Sequence, residues 1–432
     1  MWSGIKGFIW KGMINLLKNN TFVKNVATLI TGTAISQALL FFFTPILTRI
    51  YSPEEFGFFA IYVAIVAVIS TFTSLKYDIA IMLPKENADA QALFFLSIFL
   101  TLFISFLSLI VCIILKLFFA HVDFVQKIDS FIWILPPGIL FLGLFQIFFS
   151  FSSRNKFFST ISFGRVGQSG SALSFQIGMK LAFSFSKGLI IGNLLGSIVA
   201  LIILLIKNLK EKRISLQEIT IKRIYYNAKH YQNFPKYQSI QSLINALSQN
   251  LPVILLTVLY SPEIAGFYAL TQRILAAPTA LISESTRQVY YQKASELYSQ
   301  KKDIKAVFKK TTLSLVKIGV IPFLVIGILA PGIFSLFFGT EWQTSGVYAQ
   351  MLILWSFLLF INPPTVSNIF IIGLQKFYLK FEIISVCLRV LSIILPFWIF
   401  NNHYYSVFMF SLASISLNIF LILYITKKIF KR

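Results

Sequence analysis

Four basic side chains stand several residues inside long apolar runs: Arg165, Arg273, Lys317 and Arg389. A charge at mid-bilayer costs roughly 3 kcal/mol or more, so each of them calls for a partner or a water-filled cavity. Only Arg389 has an acidic residue within two turns on its own helical face, Glu382. A cavity with surplus positive charge suits an anion, above all a phosphate or diphosphate, because Arg grips phosphate oxygens bidentately and Lys acts as a compact point charge. Arg49, Lys76, Lys180 and Arg287 lie nearer the ends of their runs, where snorkelling to the interface explains them equally well. Lys76 with Asp78 is expected as a local charge pair at the cytoplasmic mouth, and Glu284 is spaced to neutralise Arg287 one helical turn on. These two acids are also the ones suited to ion coupling.

Uncharged polar groups fall on the same faces at steps of three or four. One run aligns Arg165, Ser169, Ala172, Gln176 and Lys180; a second aligns Gln238, Gln241, Asn245 and Ser248; a third aligns Arg273, Ala277, Ala280, Glu284, Arg287 and Tyr291. The competing explanation for the small polar residues is helix-to-helix hydrogen bonding. Gly188, Gly192 and Gly196 repeat every four residues and indicate close helix packing rather than a ligand site. No Gly-rich loop ends in Gly-Lys-Ser/Thr, and His121, His230 and His403 lack metal-ligand spacing. No Ser/His/Asp set stands out, so neither an enzyme nor a cofactor or metal is expected.

The elements that must position these groups are membrane helices. The chain is 57% hydrophobic and only 12% charged over 432 residues, and its mean hydropathy is +0.78. Apolar runs of about 20 residues, the length that crosses a bilayer, recur from end to end. The fold class expected is an all-α polytopic membrane protein of about twelve spans, near 26–49, 56–83, 90–119, 131–151, 159–182, 188–206, 236–259, 265–290, 311–337, 345–368, 379–400 and 406–426. The net charge of +23 invites a nucleic-acid partner, but its distribution argues for the lipid bilayer instead. The odd-numbered connections between runs hold only Lys127 and Lys187, and the positive-inside rule then puts both termini in the cytoplasm. Cys112 and Cys387 lie far apart inside apolar runs and suit buried small hydrophobes.

One decapeptide occurs twice. Residues 51–60 read YSPEEFGFFA and residues 260–269 read YSPEIAGFYA, and each copy follows the first span of a six-span half. Pro after Ser presets a helix start. Two repeats in one orientation place a central site between two lobes. The expected division is a cytoplasmic interfacial amphipathic helix at 1–25, an N-lobe at 26–206, a basic cytoplasmic connection at 207–235, a C-lobe at 236–426 and a cytoplasmic tail at 427–432.

Across nearly its whole length the chain resembles an oligosaccharide or polysaccharide flippase of the Wzx type, within the MOP exporter superfamily that also holds MurJ-like and MATE transporters. The resemblance is carried by TPILTRIYSPEEFGFFAIY and LKYDIAIMLP at 44–62 and 75–84, by FQIFFSFSSRNKFF at 145–158 and by GRVGQS and GLIIGNLLGS at 164–169 and 188–197. In the second half it is carried by LSQNLPVILL, YSPEIAGFYAL, QVYYQKASE, FFGTEWQTSGVYAQMLILW and LQKFYLKFEIISVCLR. It implies two six-helix lobes around a hydrophilic cavity and a polyprenyl-diphosphate-linked oligosaccharide (an O-antigen, capsule or exopolysaccharide repeat unit) passed to the outer leaflet. It also implies a bacterial or archaeal inner membrane, and a glycan polymerase and other polysaccharide-assembly proteins as neighbours. Cavity lining carries over to Arg49, Lys76, Asp78, Arg273 and Arg287, which fall within matching motifs. The alternatives weighed against it are a MATE-like antiporter, which expects acidic residues inside the spans, and a membrane glycosyltransferase or polymerase, which needs a larger outer loop.

Overall fold

The computed structural model describes residues 21–214 and 220–430, so the amphipathic segment expected at 1–25 lies almost wholly outside the described residues. The first half comprises α1 (Thr21–Ile50), α2 (Pro53–Ser70), the short α3 (Tyr77–Ala80), α4 (Asn87–Phe118), the short α5 (Asp123–Ile128), α6 (Leu135–Arg154), α7 (Phe158–Phe183) and α8 (Gly188–Lys210). A surface helix, α9 (Ile221–His230), leads to α10 (Ser239–Leu259), α11 (Pro262–Pro278), α12 (Glu284–Ser299) and α13 (Lys305–Phe338). The chain closes with α14 (Gln343–Ile361), α15 (Pro363–Ile371), α16 (Gln375–Phe400) and α17 (His403–Phe430). Ten helices among the described residues are long and apolar enough to cross a membrane. The α7 helix and the α11–α12 pair are long but too polar for that test, because they carry the polar stripes.

Both decapeptides begin helices, as their Ser-Pro pairs require. At the first, Glu55 N–H donates to Ser52 Oγ (3.3 Å) while Ser52 N–H donates to Glu55 Oε2 (2.9 Å), closing a capping box. The second keeps only the forward half, Ile264 N–H to Ser261 Oγ at 3.3 Å, because Ile replaces the returning Glu. The two helix starts then meet each other. A Cβ on Gly57 would lie 1.7 Å from the Pro262 carbonyl oxygen, and one on Gly266 would lie 2.0 Å from that of Pro53. A backbone carbonyl approaches this closely only where the residue facing it has no Cβ, and the contact is reciprocal. On α8 the glycines do what their spacing predicts: a Cβ on Gly192 would stand 2.5 Å from Gln176 Cγ, and one on Gly196 would stand 2.6 Å from the Gln168 carbonyl of α7.

Three expected spans are not single helices. The segment expected at 56–83 stops at Ser70, where Thr71 and Thr73 turn their hydroxyls back onto the carbonyls of Ala67 (2.7 Å) and Ser70 (3.1 Å). Leu75 and Lys76 then take left-handed backbone (φ 48° and 63°) to redirect the chain into α3. The segment expected at 265–290 is interrupted by a π-helical turn, Thr279–Ser283, directly after Pro278, which has no N–H to continue the ladder. The segment expected at 345–368 breaks at Asn362, before Pro363 and Pro364. A second π-helical turn, Phe234–Gln238, opens the C-lobe around Pro235.

The buried core shows how the lobes are joined. On the face bearing the two hairpins, one cluster runs across both lobes, joining Leu47, Tyr51 and Phe56 to Leu256, Phe267, Phe334 and Trp342. Toward the face bearing the outer ends of α1 and α17 the cores are separate, one around Phe94, Phe148 and Leu204 and the other around Tyr290, Phe308 and Ile425. The lobes are therefore closed against each other on the hairpin face and part toward the terminal face. The α9 helix belongs to the N-lobe side: Arg223 pairs with Asp89 (2.7 Å) and with Glu86, and Tyr77 Oη donates to the Ala228 carbonyl (2.9 Å).

Candidate functional site

The chain places a cavity of about 360 Å³ between the lobes, immediately beneath the hairpin seam. Its walls come from Leu40 of α1, from Phe56, Phe59 and Val63 of α2, and from Gln176 and Asn193 of α7 and α8. The C-lobe contributes Gln249, Asn250 and Val253 of α10, Tyr268, Gln272 and Arg273 of α11, and Trp355 of α14. Five amide side chains, two hydroxyl or indole donors and one guanidinium thus converge on an otherwise apolar space, the composition of a ligand pocket.

Arg273 is the only charged residue lining this cavity among the described residues. The guanidinium reaches over the lobe boundary, and its Nη2 donates to the Leu40 carbonyl at 3.1 Å. No described carboxylate pairs with it. One donated hydrogen bond leaves most of the five donors of a guanidinium for a ligand. Gln272 Nε2 donates to Tyr268 Oη (3.1 Å), which sets the phenol in place, and the indole Nε1 of Trp355 is buried with no protein acceptor.

Two further arginines flank the cavity. Arg165 lies on the α7 face that carries Ala172 and Gln176 into the wall, seven residues earlier and so about 10 Å along the helix. It donates to Thr33 Oγ1 and stacks 5.0 Å from the Phe149 ring centroid. Arg389 donates through Nη1 to Ser248 Oγ at 3.0 Å, next to Gln249 in the wall, and its Nε is buried without an acceptor. Gln241 and Asn245 are exposed on α10 below Gln249, and Gln249 Nε2 donates to Asn245 Oδ1 (2.8 Å), so the amide stripe continues from the cavity toward the terminal face.

The other charges expected at the cavity stand elsewhere. Lys180 pairs with Glu55 at 2.6 Å and lies 4.8 Å over the Tyr51 ring, on the hairpin face. Its partner is distant in sequence and was invisible to helical spacing. Arg49 donates to the Leu336 carbonyl (3.1 Å) at the end of α13. Asp78 is buried, but it accepts from Ser74 and makes no ion pair with Lys76. Lys76 itself takes left-handed backbone at this turn, just before α3 carries Asp78 into the core. Lys317 is exposed on the outer face of α13, and Arg287 is exposed on α12; the Glu284 side chain lies outside the described residues. Of the two cysteines, Cys112 is buried and Cys387 is exposed. Asn193, Asn250, Gln272 and Trp355 were not singled out from sequence; Gln249 was signalled by Asn245 four residues before it, a step at which Ser248 competed.

Beyond the cavity, the hairpin face is laced across the lobe boundary by donors that cap helix C-termini. Lys127 Nζ donates to the carbonyls of Thr257, Val258 and Tyr260 at 3.1, 3.2 and 3.3 Å, closing the end of α10. Trp342 Nε1 donates to Thr48 O (3.0 Å) at the end of α1, and Arg49 does the same for α13. Each satisfies carbonyls that a helix leaves without partners, and the two cations also meet the negative end of a helix dipole.

Residues 46–346 match the family described as polysaccharide biosynthesis protein. No curated protein sequence matches. Among solved structures, the lipid II flippase MurJ in an inward closed conformation aligns with a TM-score of 0.68 at 15% identity, over 94% of this chain and 90% of that one. An inward-facing MATE family multidrug resistance transporter of the MOP superfamily aligns at 0.62 and 12% identity, over 93% of each chain. A mutant of the Vibrio cholerae MATE transporter VcmN aligns at 0.60 and 14% identity, over 98% of this chain and 99% of that one. With two lobes, a polar interlobe cavity and a family match over most of its length, the chain belongs to the polysaccharide biosynthesis protein family and has the fold of the MOP-superfamily transporters.

Proposed function

We propose that the protein is a flippase that moves a polyprenyl-diphosphate-linked oligosaccharide from the cytoplasmic to the outer leaflet of a bacterial or archaeal inner membrane. The observation that carries this reading is the cavity itself: one uncompensated guanidinium among amides and aromatics, with no described carboxylate in the wall. In it, Arg273 takes the diphosphate, and Gln176, Asn193, Gln249, Asn250 and Gln272 meet glycan hydroxyls. Arg165 and Arg389 supply positive charge along the approach. The prenyl tail stays in lipid while the headgroup enters between the lobes. Both termini are taken as cytoplasmic, which makes the observed conformation inward-facing, its hairpin face closed.

Transport proceeds by rocking of the lobes, with the π-helical turns at 234–238 and 279–283 as the segments that flex. A diphosphate with about two negative charges gains roughly 4 to 5 kcal/mol on leaving a cell at 100 mV, so no coupled ion is required. No covalent chemistry is assigned. The MATE-like alternative expects a carboxylate facing the cavity, where this wall offers a cation.

The test is reconstitution into liposomes with a labelled polyprenyl-diphosphate oligosaccharide, following its exposure to an external glycosidase under an imposed potential. Exposure well above that of empty liposomes is expected. Equal rates with correctly folded protein would sink the flippase reading.

A further inference from the structure

Lys317 has no described partner, yet it stands seven residues beyond Lys310, about 10 Å farther into the bilayer along α13. Its face continues through Ile321, Leu324 and Ile328, which are 69%, 59% and 72% exposed and so meet lipid rather than protein. Beside this stripe, starting one turn above the lysine, α13 and α14 leave an apolar groove of about 410 Å³ between Val320, Phe323, Gly327 and Ile353. The groove exists because Gly327 brings no side chain to the seam, where a Cβ would already stand 3.3 Å from Ile353. An unpaired cation at the mouth of an apolar groove matches an anionic amphiphile, head to charge and chain to groove.

We propose that Lys317 and the α13–α14 groove form a binding site for an anionic phospholipid of the surrounding bilayer. The phosphate sits on the Lys317 ammonium and one acyl chain lies along Leu324 and Gly327. The site is separate from the interlobe cavity and stands whether or not the flippase reading holds. It gives the lysine the counter-charge that its position demands.

The test is native mass spectrometry of the purified full-length protein titrated with dioleoyl phosphatidylglycerol or dioleoyl phosphatidylcholine. Wild type should retain the phosphatidylglycerol several-fold more than the phosphatidylcholine. Lys317→Gln should abolish that preference, Lys317→Arg should keep it, and Lys376→Gln, an exposed lysine elsewhere, should leave it unchanged. Gly327→Leu, which fills the groove, should lower retention of both lipids. The proposal is overturned if Lys317→Gln retains phosphatidylglycerol like wild type, if Lys376→Gln loses it equally, or if only an added polyprenyl phosphate binds. The far-ultraviolet circular dichroism of each variant separates loss of the site from loss of the fold.

Discussion

Arg273 is held across the lobe boundary by the Leu40 carbonyl, its one described acceptor, and it lines the cavity. A hydrogen bond to a charged group contributes about 1.5–3 kcal/mol, so Arg273→Ala should slow liposome transport about 10- to 100-fold at matched expression. Arg273→Lys keeps the charge but loses the fork, and should recover only part of the rate. Transport unchanged in Arg273→Ala would remove this residue from the binding site. Arg389 makes a sharper distinction between substrates. Because its Nε is left over after Nη1 bonds Ser248, Arg389→Gln should weaken competition by free diphosphate more than competition by the uncharged glycan. Equal loss for both competitors would show that it only braces α10.

At the scale of elements, the seam where α2 meets α11 is set by glycine on both sides. Gly57→Ala or Gly266→Ala must push the helix starts apart, because the added Cβ would fall within 2.0 Å of a carbonyl oxygen in either case. In a background of Cys112→Ser and Cys387→Ser, a cysteine at Phe59 in the cavity should then label faster with a membrane-impermeant maleimide added from outside. No change in labelling would mean that the seam is not the gate. Lys127→Ala should act in the same direction but more weakly, since it removes one cap on α10, worth about 1 kcal/mol.

Much of this arrangement was legible in the chain. The repeated Ser-Pro-Glu segment pointed to two halves in one register, and a lone arginine in an apolar run pointed to Arg273, which lines the cavity. What spacing along one helix cannot reveal is the partner arriving from another: Lys180 finds Glu55 only once the N-lobe brings α7 to α2, and Arg49 finds the end of α13 only once the lobes close. Nor does an apolar helix announce which side meets protein, which is why Lys317 was expected at the cavity and stands on the opposite side of its helix from the packed residues. The break after Ser70 was readable in principle from its run of hydroxyl residues, which compete for backbone carbonyls.

For the whole molecule, a flippase as proposed takes its driving force from the membrane potential. If the cargo carries about two charges outward, collapsing an interior-negative potential with a potassium ionophore should slow transport strongly, whereas equalising sodium and proton concentrations at constant potential should not. The opposite pattern would indicate ion coupling. With α9 docked on the N-lobe through Arg223 and Asp89, the covalent link from that lobe to the C-lobe is the short stretch beyond His230, which includes the π-helical turn at 234–238.

The reciprocal contact of Gly57 with Pro262 and of Gly266 with Pro53 has a consequence for assembly. It is the geometry of a two-fold dimer interface, written here within one polypeptide. Each half presents the surface that its counterpart needs, so the peptide bonds between α8 and α9 supply proximity rather than specificity. Two separately translated pieces, divided in that connection and made in the same cell, should therefore find each other in the membrane and co-purify, and the alanine at position 57 should weaken their partnership.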